Sequence, residues 1–234
     1  APAVRIFDWQ VITDFDPTYT DSELSVSVKV KDYKELRGKG YRLKACITDK
    51  NGNAVKEIFS APFDMNASDH TVPLRATVKR PLKWTSETPE LYRLRLELLT
   101  AQGSVQDCIS TSIGFKKTEI RNGVFYLNSV PLKVNAQNSH MQHPEGGHMV
   151  DETTIRKDFE LLKQFNFNAI RTSHYPPVSR YLELANEYGL YVIDEVGDEA
   201  HATEWVSTKP EYEKMYRERC RKMVLRDRNY PCIL

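Results

Sequence analysis

The hydrophobic period changes once along this chain, near Thr118, and that change sets what each half can fold into. Before it, apolar and polar residues alternate. Leu24, Val26, Val28 and Val30 interleave with Ser25, Ser27, Lys29 and Lys31, the pattern of a strand with one buried and one solvated face. Leu43, Ala45 and Ile47 repeat it, and Asp49 to Gly52 supply turn chemistry after them. Tyr92, Leu94, Leu96 and Leu98 repeat it again before a turn at Gln102–Gly103. About seven short strands of this kind predict an immunoglobulin-like β-sandwich over residues 1–117. Its expected role is scaffold, because no cluster of exposed aromatic residues marks it as a sugar-binding module.

After Thr118 strands and helices take turns. Val124–Leu127 and Val130–Leu132 flank Asn128–Ser129 as a small hairpin. Lys133–Ala136 reads as a first buried strand. A helix over 152–165 follows, capped by Asp151 and striped by Ile155, Phe159, Leu162 and Phe165. Asn168–Arg171 reads as a second strand. A second helix, striped by Val178, Tyr181, Leu182, Ala185 and Tyr188, ends at Gly189. Leu190–Asp194 is a third strand, apolar enough for a parallel strand covered on both faces. A helix over 211–228 and an apolar start at Cys232–Leu234 complete the pattern. Residues 118–234 are therefore expected to be the N-terminal portion of a (β/α)8 TIM barrel, truncated because such a barrel needs eight strand–helix units. The alternative is a small α/β sheet in its own right. In either case an uncovered strand edge predicts self-association.

Composition narrows the partners. Hydrophobic residues make up 40% and charged residues 28%, and the net charge is +1, so no whole-chain field points to nucleic acid or an anionic membrane. No apolar run approaches the ~18 residues of a membrane span. The Arg-rich stretch from Arg217 to Arg228 reads as a solvated helix face. Cys46, Cys108, Cys220 and Cys232 form no C-x-x-C pair and read as small buried apolar residues rather than a disulfide framework. The compartment is not encoded in these features.

Five of the six histidines fall between Asn138 and His201, in the loops that follow the predicted strands. In a (β/α) barrel those loops form the rim where chemistry occurs. The first loop, NSHMQHP over 138–144, places His140 and His143 where they could bind a polyol or satisfy local backbone groups. The second, RTSHYPP over 171–177, places Arg171 at a strand end and His174 three residues on. Arg171 could also be held in an ion pair with Asp194 or Glu195. In the third, Glu199 and His201 flank one residue, and a carboxylate and an imidazole so spaced suit a divalent ion given further ligands.

The runs NFNAIRTSHYP over 166–176 and YGLYVIDE over 188–195 closely resemble the family 2 glycoside hydrolases, and within them the β-galactosidase type. The stretch WTSETPELYRLRLEL over 84–98 resembles the end of the sandwich that precedes their barrel. The resemblance implies a retaining β-galactosidase that removes terminal β-D-galactosyl residues. It implies that His140 and His174 contact the galactosyl unit, that Arg171 helps position the catalytic carboxylates, and that Glu199 and His201 are two ligands of an active-site Mg2+. It also implies that the acid/base and nucleophilic glutamates come after Leu234, so that the catalytic pair is absent here and this chain alone is inactive. A homo-oligomer of the larger protein is left open. Ser139, Met141 and Gln142 depart from the first loop's usual N-R-H-acid-H-H-P, and Gly197 to Ala202 departs from N-I-E-T-H-G. Other readings are a β-glucuronidase of the same family, a metal-dependent TIM-barrel hydrolase, and a non-enzymatic sandwich module.

Overall fold

The computed structural model describes every residue except Asp198 and Ala200. The chain divides into two compact units, Ala1–Trp84 with Glu90–Val130, and Thr85–Pro89 with Pro131–Leu234.

The first unit contains β1 (Val4–Phe15), β2 (Ser22–Asp32), β3 (Arg42–Thr48), β4 (Ala54–Phe59), β5 (Asp69–Val78), β6 (Tyr92–Leu99) and β7 (Val105–Ile113). They pair antiparallel into two sheets, β1-β2-β5 and β4-β3-β6-β7, the layout of an immunoglobulin-like sandwich. The alternation in sequence becomes one shared core. Leu24, Val26, Val28 and Val30 of β2, Leu43, Ala45 and Ile47 of β3, and Leu94, Leu96 and Leu98 of β6 are each at most 1% exposed. Burying a large aliphatic side chain is worth about 1.5–3 kcal/mol, so these strands dominate the unit's stability. The Asp49 carboxylate accepts the Asn51 and Asn53 N–H groups at 2.9 and 2.8 Å, and Gly52 takes the left-handed conformation that closes the turn.

A small sheet follows, β8 (Thr118–Arg121), β9 (Val124–Leu127) and β10 (Val130–Pro131), in the order β10-β9-β8. Asn128 and Ser129 both have positive φ, 49° and 71°, which is the primed hairpin geometry their sequence predicts.

The second unit holds three parallel strands, β11 (Ala136–Ser139), β12 (Ala169–Thr172) and β13 (Tyr191–Ile193), in that order. Helices α1 (Glu152–Gln164) and α2 (Ser179–Tyr188) connect them, and α3 (Pro210–Asp227) follows β13. Ile233 then bridges Val192 in parallel, where the Val192 N–H donates to Cys232 O at 2.8 Å. This is the strand–helix repeat of the first part of a TIM barrel. Ala169, Ile170, Tyr191 and Val192 are at most 2% exposed, as parallel strands covered on both faces should be.

Several sequence expectations shift. The first parallel strand begins at Ala136 instead of Lys133, and Ala136, Gln137 and Asn138 are exposed in this chain, with Ser139 half-buried. Phe165 is the C-cap of α1 and is 71% exposed, so the buried stripe reduces to Ile155 and Phe159, with Leu162 half-buried. Of the cysteines only Cys232 is buried. Cys46 is half-buried, and Cys108 on β7, at the edge of its sheet, and Cys220 on α3 are exposed; all four are free thiols. The Arg-rich helix is a solvated face, laced by Arg217–Glu213 and Arg221–Glu218 pairs at 3.1 and 2.9 Å.

Two local devices hold the helices in register. Asp151 Oδ1 accepts the Thr154 N–H at 2.8 Å and caps α1. Gly189 ends α2 at φ 68°, and a Cβ there would lie 2.4 Å from the backbone oxygen of Ser86. Ser86 cannot retreat easily: its N–H donates to Tyr191 Oη at 3.1 Å and its oxygen accepts Lys163 Nζ at 2.9 Å. Asp151→Ala is expected to cost about 1 kcal/mol, read from urea unfolding. Gly52→Ala adds a Cβ into open space at positive φ and should cost about 1–2 kcal/mol. Gly189→Ala carries the same backbone penalty plus the clash, and should exceed it by at least about 1 kcal/mol; equal urea midpoints would show that Ser86 yields freely.

Candidate active site

Parallel register sets the site. Asn138 of β11 pairs with Arg171 of β12, which pairs with Ile193 of β13, so the three loops that follow leave the sheet from one edge. The loop after β13 is tied to β12 at once: the Glu195 N–H donates to Thr172 Oγ1 at 2.9 Å.

That tie points the Glu195 carboxylate at the second loop. Its Oε1 accepts Arg171 Nε and Nη2, both at 2.5 Å, and its Oε2 lies 2.9 Å from His174 Nδ1. Arg171 Nη2 is 3.2 Å from the same imidazole nitrogen, and Nη1 donates to Asn138 Oδ1 at 3.4 Å. Of the two carboxylates the sequence offered as partners for Arg171, Glu195 is the one that pairs. Asp194 turns away toward α3.

His174 extends the chain of contacts. Its Nε2 is 3.2 Å from Glu199 Oε2, and Glu199 Oε1 is 2.5 Å from His201 Nδ1. The His140 ring stands edge-on to His174, with centroids 5.5 Å apart. All five residues singled out in the sequence thus fall in one cluster. His201 is open to solvent, with its side chain 89% exposed. The Ser173–His174 peptide is cis.

The first loop separates its histidines. His143 Nδ1 accepts the Glu145 and Gly146 N–H groups at 3.2 and 3.0 Å, and His148 Nδ1 is 2.9 Å from Met141 O. Both serve local backbone, while His140 faces the cluster. Tyr175 organises this loop: its hydroxyl accepts the Met141 N–H at 3.2 Å, and its ring packs against His140 and His148. Sequence reading passed over Tyr175, since nothing in its spacing distinguishes it from a core tyrosine.

The donor set bears on a metal. Glu199 and His201 bring a carboxylate oxygen and an imidazole nitrogen together, which are two of the ligand types a divalent ion accepts. Among the described residues no group of three such side chains could hold an ion, so the pair is at most part of a site. Asp198 and Ala200, which share that loop, lie outside the described residues. A cavity of about 420 Å³ beside the cluster is lined by Tyr175, Pro176, Gly197, Arg219, Lys222 and Arg226 among others, and by none of the five.

The sequence profile of the glycosyl hydrolases family 2 TIM barrel domain matches residues 118–234, and that of glycosyl hydrolases family 2 matches residues 4–116. A β-galactosidase of Priestia megaterium is 38% identical over 248 residues, covering 100% of this chain and 24% of its own length. A β-galactosidase of Pectobacterium atrosepticum is also 38% identical, with 100% and 23% covered. The chain therefore spans about a quarter of the length of these curated relatives. Among solved structures, a family 2 glycosyl hydrolase from Bacteroides cellulosilyticus superposes with a TM-score of 0.87 at 27% identity, covering 99% of this chain and 30% of that one. A Bifidobacterium dentium β-glucuronidase gives a TM-score of 0.85 at 21% identity, covering 99% and 37%, a likeness of fold. Matched through both halves by the family's profiles, the chain belongs to family 2 of the glycosyl hydrolases.

Proposed function

We propose that these residues build one wall of the sugar site of a retaining β-galactosidase. The observation that carries this reading is the continuous series Arg171, Glu195, His174, Glu199, His201, with His140 against it, at the strand ends of a family 2 barrel. The β-galactosidase relatives support the substrate class. The E-x-H pair and the His143–Pro144 ending of the first loop favour a galactoside over a glucuronide.

In this reading His140 and His174 hydrogen-bond the galactosyl hydroxyls, and Arg171 positions the catalytic carboxylates. Retention of configuration needs two carboxyl groups about 5–5.5 Å apart across the scissile bond, one acting as acid and then base, the other as nucleophile. The pair comes from later strands of the full-length protein. Glu199 and His201 would hold Mg2+ together with further ligands, and the bound ion would supply positive charge. Residues 1–117 serve as scaffold, and the catalytic domain starts at 118.

The test is turnover by the full-length protein of aryl β-galactoside and aryl β-glucuronide, with chelator and with added Mg2+. The expected result is a galactoside preference of about 100-fold or more in kcat/KM, with activity lost on chelation and restored by Mg2+. Preference for the glucuronide would move the protein to the other branch of the family, and stoichiometric zinc would favour a metal-dependent hydrolase. The 234-residue chain alone should hydrolyse neither substrate. His174→Ala should lower kcat/KM by about 10²–10³-fold, the scale of removing one aligned donor. Glu199→Gln should raise the Mg2+ concentration needed for half-maximal activity while leaving the galactoside preference intact, as measured by metal titration of turnover.

A further inference from the structure

Behind the cluster lies a pair of carboxyl groups that the proposed reaction does not use. Asp194 directly follows β13, and Asp227 closes α3, where it is 2% exposed. Arg226 donates to both Asp227 oxygens, Nε to Oδ1 and Nη2 to Oδ2, each at 2.7 Å. That two-pronged geometry belongs to a carboxylate. Asp194 faces it, and its Oδ2 is buried with no protein donor among the described residues. Asp194 lies within hydrogen-bonding reach of Asp227, and two carboxyl groups so placed satisfy one another when one carries a proton. Since Asp227 is taken by Arg226, the proton belongs on Asp194, which then donates to Asp227.

The other oxygen of Asp194 is also placed. Thr172 Oγ1 donates toward Asp194 Oδ1 at 3.3 Å, sharing its hydrogen with Ile193 O at 3.4 Å, and the same hydroxyl accepts the Glu195 N–H at 2.9 Å. A line of contacts therefore runs from Arg226 to Asp227, across the hydrogen bond Asp227 shares with Asp194, and through Thr172 to Glu195, and so to Arg171 and His174.

We infer that protonated Asp194 is a positioning residue: by bridging Asp227 and Thr172 it fixes the backbone at Glu195, and thereby the orientation of Arg171 and His174 against the sugar. The positioning role rests on the glycosidase reading; the shared proton does not. The charged and titratable groups facing Asp194 are Asp227 and Arg226 from α3, with Thr172 from β12 beside it; Tyr230, just beyond α3, faces Asp227 and Arg226. Burial first, and then the hydrogen bond and charge of Asp227, push the Asp194 carboxyl up against the opposing pull of Arg226 and Thr172, to a net value of about 7. An acid raised in the folded state from 3.8 to about 7 binds its proton more tightly there than when unfolded. Its contribution to stability is fully present below the unfolded value and is lost as pH rises through about 7. Ionisation then sets two negative charges side by side and loosens Glu195.

The experiment compares the wild-type full-length protein with Asp194→Asn and Asp194→Ala. An asparagine donates to Asp227 and accepts from Thr172 as the protonated acid does, and it does not titrate. Two readouts are taken from pH 5 to 8.5: the thermal midpoint, and kcat/KM on the aryl glycoside that the wild type hydrolyses. The wild-type midpoint should fall relative to Asp194→Asn, by about 1–2 °C in a protein of this length, as pH passes through neutrality. Asp194→Asn should lose an alkaline decline that the wild type shows, and should exceed Asp194→Ala by at least about tenfold in kcat/KM near pH 6. A thermal midpoint difference that does not change with pH overturns the shared proton. A changing midpoint with an unaltered pH–rate profile overturns the positioning role. A changing midpoint in a wild type without glycosidase turnover upholds the shared proton and defeats the glycosidase reading instead.

Discussion

The candidate site depends on Glu195 standing between Arg171 and His174. A guanidinium and an imidazole at the end of a buried strand would each be costly without an acceptor, and one carboxylate satisfies both. The position of that carboxylate is set by its own backbone. The Glu195 N–H is fixed to Thr172 on the neighbouring strand, and parallel register brings Arg171, Asn138 and Ile193 into one row. Sheet geometry and side-chain electrostatics therefore act on the same few atoms. The second carboxylate, Glu199, repeats the arrangement one step outward, between His174 and the open His201.

Departures from the usual first loop are accommodated without disturbing this arrangement. Met141, which stands where the family carries an acid, is 8% exposed and fills apolar space. Its backbone does the polar work: its N–H meets Tyr175 and its carbonyl meets His148. Ser139 keeps its backbone role at the end of β11, where its carbonyl accepts the Ser173 N–H at 2.9 Å. His140 thus faces His174 despite three changed neighbours.

Much of this was legible in the sequence, because period-two alternation and capping chemistry act locally. Leu24 to Val30 gave the central sandwich strand, Asn128–Ser129 the hairpin, Asp151 and Gly189 the helix ends. What failed depends on neighbours. The run Lys133–Ala136 does not reveal that the ladder to β12 begins only at Ala136, and the place of Phe165 on a helical stripe does not reveal that the helix has already ended. The three motif loops were visible as motifs, but which histidine faced the cluster was not, since His140, His143 and His148 have similar surroundings in sequence. Asp227 was hidden within a charge-rich run that reads as a solvated face, and its burial follows only from how α3 returns toward the end of β13.

The central claim is that the Arg171, Glu195 and His174 cluster, with His140 beside it, is where the sugar rests. The most direct measurement is a crystal structure of the full-length protein with a galactose-configured iminosugar. The account predicts ring hydroxyls within hydrogen-bonding distance, about 2.7–3.2 Å, of the His140 and His174 imidazoles, with the Arg171–Glu195 pair intact. An inhibitor seated elsewhere on the barrel rim, with both histidines still turned to their present partners, would contradict it.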